Sequence, residues 1–358
     1  MRVIVAGGGT GGHLFPGLAV AQEFKRRDAM NEILFVGTAQ GIEVRAVPAA
    51  GFPLELIPVK GLKGRGVRGV LEGLYGIPAS FLRSLGILRR FRPDYVLGVG
   101  GYASGPLLLA AKTRRVRTAI LEENLRPGLT NEMLGKIVDR VFTSYQGSAK
   151  YFPRGRVVET GNPVRWRALP EVERETKFML FIFGGSQGAR RINQCTIDML
   201  KQLGDMQSSL KILHQTGKLD FEEVRAAYAE LPFEAVVVPF IDGMDQAYAR
   251  ADLVICRSGA ATIAELTVFG KPAILIPYPY AVYDHQRLNA EELVEKGAAE
   301  MILDRELDGA KLAARVRALY ADRARLAAMA AAAKRIGRPD AAERIVEESY
   351  ALTGESRR

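Results

Sequence analysis

The stretch Ala251-Asp252-Leu253-Val254-Ile255-Cys256-Arg257-Ser258-Gly259-Ala260-Ala261-Thr262-Ile263-Ala264-Glu265 passes from a strand through a tight turn into a helix. The apolar run ending at Cys256 reads as a buried strand, Ser258 and Gly259 as the turn, and the pattern from Ala260 as helical. A helix that opens straight after a strand points unpaired N–H groups and the positive end of its dipole outward, which suits a phosphate. Glu265, about one and a half turns in, would repel a phosphate it touched but can accept two hydrogen bonds from a neighbouring ribose diol. The same residues also suit an ordinary strand–helix turn with a solvated glutamate, and this stretch alone does not separate the two.

The strand–glycine–helix logic recurs upstream. Residues 2–6 form a buried strand that runs into Gly7-Gly8-Gly9-Thr10-Gly11-Gly12-His13 and then a helix through about Arg27. Strand 95–99 leads to Gly100-Gly101-Tyr102-Ala103-Ser104-Gly105-Pro106 and a helix starting over 107–112. Strand 178–183 leads to Gly184-Gly185-Ser186-Gln187-Gly188-Ala189-Arg190 and a helix over 192–203. Further strands are expected at 33–36, 118–121, 141–143, 157–160, 210–214, 235–239 and 272–277. Strands alternating with helices argue for parallel α/β sheets. The restart at Phe178, after the linker-like Gly161-Asn162-Pro163-Val164-Arg165 and a polar run over 167–177, makes two sheets of similar design. From Asp308 the chain reads as Ala-, Arg- and Glu-rich helix with a frayed tail over 354–358.

Composition bounds the function. A chain of 358 residues has room for two domains, and 48% apolar content lets each bury a core. Cys195 and Cys256 are the only cysteines and lack metal-ligand spacing, which argues against a disulfide scaffold or zinc site and suits a reducing cytosol. No N-terminal targeting signal is expected, because strand 2–6 runs directly into glycines. No apolar run reaches the roughly 18 residues that span a bilayer. The net charge of +10 suits nucleic acid, anionic lipid or phosphorylated substrates. Without an aromatic-plus-basic signature or zinc-finger spacing, nucleic acid is not expected.

Residues 60–92 concentrate that charge. Lys60, Lys63, Arg65, Arg68, Arg83, Arg89, Arg90 and Arg92 face a single acid, Glu72, and alternate with Val67, Leu71, Leu74, Phe81, Leu85 and Leu88 at helical spacing. Pro78 is expected to break or kink that helix. The segment suits a core-facing helix with a solvated basic side and, equally, an amphipathic surface for anionic lipid.

Candidate chemistry gathers at strand ends. Gly7, Gly9 and Gly12 fit G-x-G-x-x-G, but strand 33–36 ends in Gly37-Thr38, not in the acid that would hold an adenosine ribose. Nicotinamide and flavin are therefore not expected, although the glycines let a ligand, an anion above all, approach the backbone closely. His13, one of three histidines, reads either as a general base or as a histidine that hydrogen-bonds in a turn. Strand 118–121 ends at Glu122-Glu123-Asn124, facing the same mouth. Gln286 and Asn289 share a helix face, where two amides suit either sugar hydroxyls or capping.

As a set, Gly8-Gly9-Thr10-Gly11-Gly12-His13, Gly100 to Pro106, Gly161 to Arg165, Gly184 to Ala189 and Cys256-Arg257-Ser258-Gly259-Ala260 resemble the bacterial peptidoglycan N-acetylglucosaminyltransferases that turn lipid I into lipid II. The likeness runs from Gly7 to about Gly297. It implies the α/β fold called GT-B, two Rossmann-like domains with parallel sheets separated by a cleft. Residues 1–163 with a C-terminal helix of about 340–358 would take the acceptor and the membrane, and 164–339 would take UDP-GlcNAc. By the same likeness the Ile241 backbone meets the uracil, Arg165 and Ser186 lie near the nucleotide-sugar, and Ala260, Ala261 and Thr262 face the diphosphate. Glu265 faces the ribose, and Gln286 with Asn289 the sugar. Thr10, Gly11 and Gly12 count among the nucleotide-sugar positions and also suit, with Gly101, Tyr102 and Ser104, the acceptor diphosphate; Asn124 is a further binding position.

The reaction implied is inverting transfer of N-acetylglucosamine to the 4-hydroxyl of the MurNAc-pentapeptide of lipid I. His13 would be the base and Glu122 the rival; a single displacement needs no protein nucleophile. No Asp-x-Asp motif occurs, so neither metal nor cofactor is expected. The likeness implies a peripheral enzyme on the cytoplasmic face of the cell membrane, with UDP-GlcNAc, lipid I and the membrane surface as partners. Two departures stand out: Glu123 where glutamine is expected beside Asn124, and His285 where a polar amide can appear. Rival readings are another GT-B UDP-sugar-dependent glycolipid or natural-product transferase, a related UDP-N-acetylglucosamine epimerase, and a non-catalytic nucleotide-binding partner of a membrane complex.

Overall fold

The computed structural model describes residues 1–59, 66–173 and 176–354, with 66–77 described by backbone alone. The chain divides into two compact units, Met1–Arg165 with Arg338–Arg358, and Trp166–Gly337. The first carries strands β1 (Arg2–Ala6), β2 (Glu32–Gly37), β3 (Leu54–Leu56), β4 (Tyr95–Gly98), β5 (Arg117–Glu122), β6 (Arg140–Thr143) and β7 (Val157–Glu159). They are joined through helices α1 (Gly11–Arg27), α2 (Glu43–Ala49), α3 (Gly66–Phe91), α4 (Ser104–Thr113) and α5 (Leu129–Leu134). The second carries β8 (Phe178–Phe183), β9 (Leu210–Gln215), β10 (Glu234–Val238), β11 (Leu253–Cys256), β12 (Ala273–Leu275) and β13 (Ala299–Met301). Its helices are α6 (Arg190–Gln202), α7 (Phe221–Ala229), α8 (Met244–Arg250), α9 (Ala260–Phe269), α10 (His285–Glu295), α11 (Gly309–Ala321) and α12 (Arg323–Ile336), and α13 (Ala341–Thr353) ends the chain.

Both sheets are parallel among the described residues, in the orders β3-β2-β1-β4-β5-β6-β7 and β10-β9-β8-β11-β12-β13. The apolar runs explain why. Strand side chains alternate between faces, and in β1 Val3 and Val5 enter one apolar cluster while Ile4 and Ala6 enter another. In β8 Leu180 and Ile182 divide from Phe181 and Phe183 in the same way. A strand buried on both faces is continuously apolar, and helices then cover each side. In each sheet the strand order reverses once, between β1 and β4 and between β8 and β11. The crevice outside the strand carboxyl ends at such a reversal is where open α/β sheets hold ligands.

Sequence patterning did not anticipate the edge strands β3 and β13, of three residues each. Leu-Glu-Leu and Ala-Glu-Met hold no β-branched or aromatic residue, unlike the equally short β7 and β12, so they lack a strand signal. Of the break or kink expected at Pro78, the break does not occur, since α3 runs from Gly66 through to Phe91. A proline inside a helix costs about 3 kcal/mol, and burial of Ile87 and Leu88, with Phe81, Leu85 and Phe91 packed beside them, offsets it. Residues 60–65 of the basic segment lie outside the described residues, as does the tail beyond Gly354. Among the described residues no helix is long and apolar enough to cross a membrane.

The Ala-rich end divides into three helices. Asp308 and Asp322 cap α11 and α12 by accepting from the N–H groups of Lys311 (2.7 Å) and Arg325 (2.9 Å). The break at Gly337-Arg338-Pro339-Asp340 sends α13 back to the first unit, where Ile345 and Val346 join the cluster of Val3, Phe24 and Tyr95. Tyr350 anchors the helix, its hydroxyl 2.8 Å from Asn31 Nδ2 and its ring 4.8 Å beneath the Arg27 guanidinium. In the second unit His214 is fully buried between Asn193 and the Tyr228 hydroxyl, and burial pushes its pKa down to about 3. It is a neutral core residue tying β9 to α6 and α7.

Candidate active site

At the reversal in the first sheet two glycine loops interlock. Gly100 and Gly101 have φ of +91° and +79°, where only glycine is unstrained. A Cβ on Gly101 would stand 2.5 Å from the Gly8 carbonyl oxygen, and one on Gly100 would stand 2.6 Å from Nδ1 of His13. The loop after β4 is thus pressed backbone to backbone on the loop after β1, and the His13 ring packs against Gly100.

Beneath them lies Glu43, buried at the start of α2. Its Oε2 accepts from the Gly9 N–H at 2.7 Å, and its Oε1 accepts from the Thr38 N–H at 2.9 Å and the Thr38 hydroxyl at 3.0 Å. The anion that approaches the backbone of Gly9 is therefore the protein's own carboxylate, and a phosphate is left the first turn of α1. That turn holds no acid, and its exposed cap residue Thr10 makes no side-chain capping bond. Replacing Glu43 with alanine removes the buried acceptor of three part-buried hydrogen bonds, each worth about 1 kcal/mol net. We expect the urea unfolding free energy to fall by roughly 3 kcal/mol, and an unchanged unfolding curve would show that the loop does not depend on this carboxylate.

After β5 the two consecutive acids part company. Glu122 is buried within its own turn, with Oε1 accepting from the Asn124 N–H (2.9 Å) and Asn124 Nδ2 (3.2 Å), and Oε2 from Asn131 Nδ2 (3.0 Å). Burial lifts its pKa to about 7, with those hydrogen bonds opposing. Glu123 instead reaches His13, with Oε2 2.8 Å from Nδ1. The carboxylate in contact with the candidate base is thus Glu123, which the sequence marked only as a departure from an expected glutamine; Glu122, expected as the rival base, has both oxygens engaged. Asn124 is half-buried, and its carbonyl accepts from Ser148 Oγ at 3.0 Å.

Ser104 requires a correction. It is fully buried, and its hydroxyl lies 2.7 Å from the Ala6 carbonyl and 2.8 Å from that of Gly100, so it braces the glycine loops and is closed to an acceptor diphosphate. Tyr102 is exposed and Gly101 half-buried. Arg165 falls in the first unit, its guanidinium 4.0 Å over the ring of Phe15 on α1.

In the second unit, α9 opens directly from β11. Gly259 caps it in extended conformation with no side-chain hydrogen bond, and no acid occurs in the first turn. Helix geometry leaves the first N–H groups, those of Ala260, Ala261 and Thr262, without partners inside the helix. Ser258 is buried and donates to the Gln286 carbonyl at 2.8 Å, which ties this turn to the start of α10. Tyr283 and Asp284, with φ of 53° and 54°, set the entry to α10, and His285 Nδ1 donates to the Val282 carbonyl at 2.8 Å.

Four expected contacts are modified by what surrounds them. Gln286 is half-buried, and its Oε1 accepts from the Tyr278 N–H at 3.0 Å, leaving the amide NH2 as the group to meet a hydroxyl. Asn289, expected beside it at a sugar, is fully buried: one turn further along, the same helix face has passed under neighbouring chain. Glu265 is buried too, with Oε2 accepting from the Tyr248 hydroxyl at 3.0 Å, so that oxygen is committed before any ribose arrives. The Ile241 N–H donates to Gln215 Oε1 at 2.9 Å, while Gln215 Nε2 donates to the Gly185 carbonyl at 2.9 Å; in this state only the carbonyl of Ile241 is left to a base. Ser186 is exposed on the Gly184–Gly188 turn. Gln215 and Tyr248 carry no motif signal that could have singled them out. Among the described residues no cluster of His, Cys, Asp and Glu could hold a metal ion.

Two parallel sheets with glycine loops at their reversals, an uncapped helix start in each, and a histidine beside one of them define a protein of the GT-B class, the fold of nucleotide-sugar enzymes. The N-terminal domain of glycosyltransferase family 28 matches residues 3–143 and its C-terminal domain matches 179–345. The chain belongs to glycosyltransferase family 28.

Among its relatives are the UDP-N-acetylglucosamine–N-acetylmuramyl-(pentapeptide) pyrophosphoryl-undecaprenol N-acetylglucosamine transferases of Myxococcus xanthus and Geobacter sulfurreducens. The first is 50% identical over 97% of this chain and 92% of the relative, the second 49% identical over 99% of both. The crystal structure of Acinetobacter baumannii MurG is similar with a TM-score of 0.79 at 30% identity, covering 98% of this chain and 99% of that one. An S. aureus MnaA–UDP co-structure, 15% identical with a TM-score of 0.72 over 99% of this chain and 98% of that one, shares the fold alone.

Proposed function

We propose that the chain transfers N-acetylglucosamine from UDP-GlcNAc to the 4-hydroxyl of the MurNAc-pentapeptide of lipid I, with inversion, forming lipid II. The observation that carries this reading is the match at 49–50% identity, spanning both units, to relatives named for that reaction. The second unit takes the donor. Its diphosphate sits at the start of α9 on Ala260, Ala261 and Thr262, with Ser186 near the nucleotide-sugar and the uracil at the Ile241 carbonyl. Glu265 serves the ribose, and Gln286 serves the sugar through its NH2. The first unit takes the acceptor diphosphate at Thr10, Gly11, Gly12 and the Gly101–Tyr102 loop, with Asn124 as a further contact.

In the transfer the acceptor oxygen bonds to the anomeric carbon as the bond from that carbon to the UDP oxygen breaks. The electron pair leaves with UDP, whose growing charge meets the positive end of α9. The proton of the hydroxyl passes to Nε2 of His13. A lipid-borne acceptor calls for an enzyme at the cytoplasmic membrane surface, and the basic 60–92 segment is the candidate contact.

Labelled N-acetylglucosamine offered with a lipid I analogue tests the reading. We expect a singly glycosylated product and at least about tenfold discrimination against UDP-glucose and UDP-galactose, because a lost polar contact in a buried site costs 1–3 kcal/mol. Transfer to unrelated aglycones in preference to the lipid I analogue would sink it in favour of another GT-B transferase.

A further inference from the structure

We propose that Glu123 is a positioning residue for the transfer, gripping His13 at Nδ1 so that Nε2 alone is presented to the acceptor's proton. This rests on the reading of His13 as base. The geometry is specific. Glu123 is 3% exposed and its Oε2 lies 2.8 Å from Nδ1, while its Oε1 is buried with no hydrogen-bond partner among the described residues. The carboxylate is thus committed to the ring. A carboxylate only accepts, so the neutral imidazole must carry its proton on Nδ1, and the bare nitrogen is Nε2. Gly100 holds the ring from the β4 side, where any side chain would collide with it. The His13 side chain remains one-third exposed. The adjacent Glu122 cannot substitute, because the turn to Asn124 and Asn131 has claimed it.

The pairing sets when the base is free. The charges facing the ring are Glu123 in contact and Glu122 behind it; the Gly100–Gly101 loop and the Thr10–Gly12 turn supply no charged side chain, and Arg165 packs on α1 at Phe15. The charge of Glu123 is the largest influence, burial opposes it, and the ring holds its proton up to about 9 against an ordinary 6.5. A protonated ring has no lone pair at Nε2, so transfer rises with pH until the proton leaves. The same carboxylate stabilises the imidazolium that forms during transfer, the part played by the aspartate behind a catalytic histidine elsewhere.

Glu123→Gln removes the charge and keeps an oxygen able to accept from Nδ1. In the full-length protein we expect the acid limb of kcat/KM to move down by about 1–2 pH units, toward the ordinary histidine value. The high-pH plateau should fall by roughly tenfold, as befits a weaker base, with KM for UDP-GlcNAc unchanged. With only three histidines, ring 15N resonances report His13 directly. The wild-type ring should titrate well above 6.5 with Nε2 bare when neutral, and in Glu123→Gln the midpoint should fall.

A wild-type midpoint near 6.5, or a neutral ring protonated on Nε2, overturns the proposal without any variant. So does an acid limb unmoved in Glu123→Gln. Full transfer activity in His13→Gln would instead reject His13 as the base, a failure visible separately from the ring titration.

Discussion

Replacing His13 with glutamine is expected to lower kcat for N-acetylglucosamine transfer by about 10²–10⁴-fold, the range that a positioned general base contributes. The affinity for UDP-GlcNAc should stay within about twofold, since a group that acts on the proton in flight contributes little to ground-state binding. Glutamine is a better replacement than alanine for a physical reason. Glu123 is buried with His13 as its hydrogen-bond partner, and removing that partner altogether would leave a buried carboxylate uncompensated and confound catalysis with folding. The glutamine NH2 can still donate to Glu123 but cannot accept a proton. Steady-state kinetics with a soluble lipid I analogue, alongside a thermal melt, separate the two effects. A variant that folds and transfers at the wild-type rate removes His13 from the reaction.

The second large effect is expected at the start of α9. Ala261→Asp places an acid in the first turn of a helix that has none, and two effects of opposite sign follow. The helix itself gains about 0.3–1 kcal/mol, because a negative charge suits the positive dipole end. The donor diphosphate loses far more. Two unit charges about 4 Å apart repel by about 4 kcal/mol at an effective dielectric of about 20, and the new carboxylate competes for the free N–H groups. We expect KM for UDP-GlcNAc to rise by roughly 100-fold or more, with Tm equal to or above that of the parent. Ala261→Ser, which adds a hydroxyl without charge, should change KM by only a few-fold. If Ala261→Asp leaves KM unchanged, the diphosphate lies elsewhere and the donor-site reading fails with it.

Much of the fold can be read before any coordinates. The apolar runs of β1, β4, β8 and β11 are buried on both faces, so they stand out as continuous hydrophobic segments, each followed by glycines or by the Ser258-Gly259 turn. Parallel sheets follow from their alternation with helices. The edge strands β3 and β13 escaped because they hold no β-branched or aromatic residue, whereas the equally short β7 and β12 do. Pro78 does not end α3, because a local rule about helices was outweighed by packing that depends on residues from other elements.

The site divides along the same line. The glycine loops, His13 and the helix start at Ala260 are local features: a strand ends, a turn needs glycine, a helix begins. Their partners are not local. His13 meets Glu123 across 110 residues of sequence, and Gly9 meets Glu43 across 34. Nothing in Glu122-Glu123 says which acid turns toward the histidine, because once a strand ends its alternation no longer dictates where a side chain points. Ser104 and Asn289 look like polar residues offered to a ligand, and only packing shows them turned inward, one bracing two carbonyls and the other wholly enclosed. The amino-acid order by itself determined two parallel sheets, the loops at their reversals and the residue types available there, since these depend on periodicity and backbone freedom. Which of those side chains are spent on the protein and which stay open to a substrate was decided by tertiary structure, because hydrogen bonds and burial are settled by neighbours brought from distant parts of the chain.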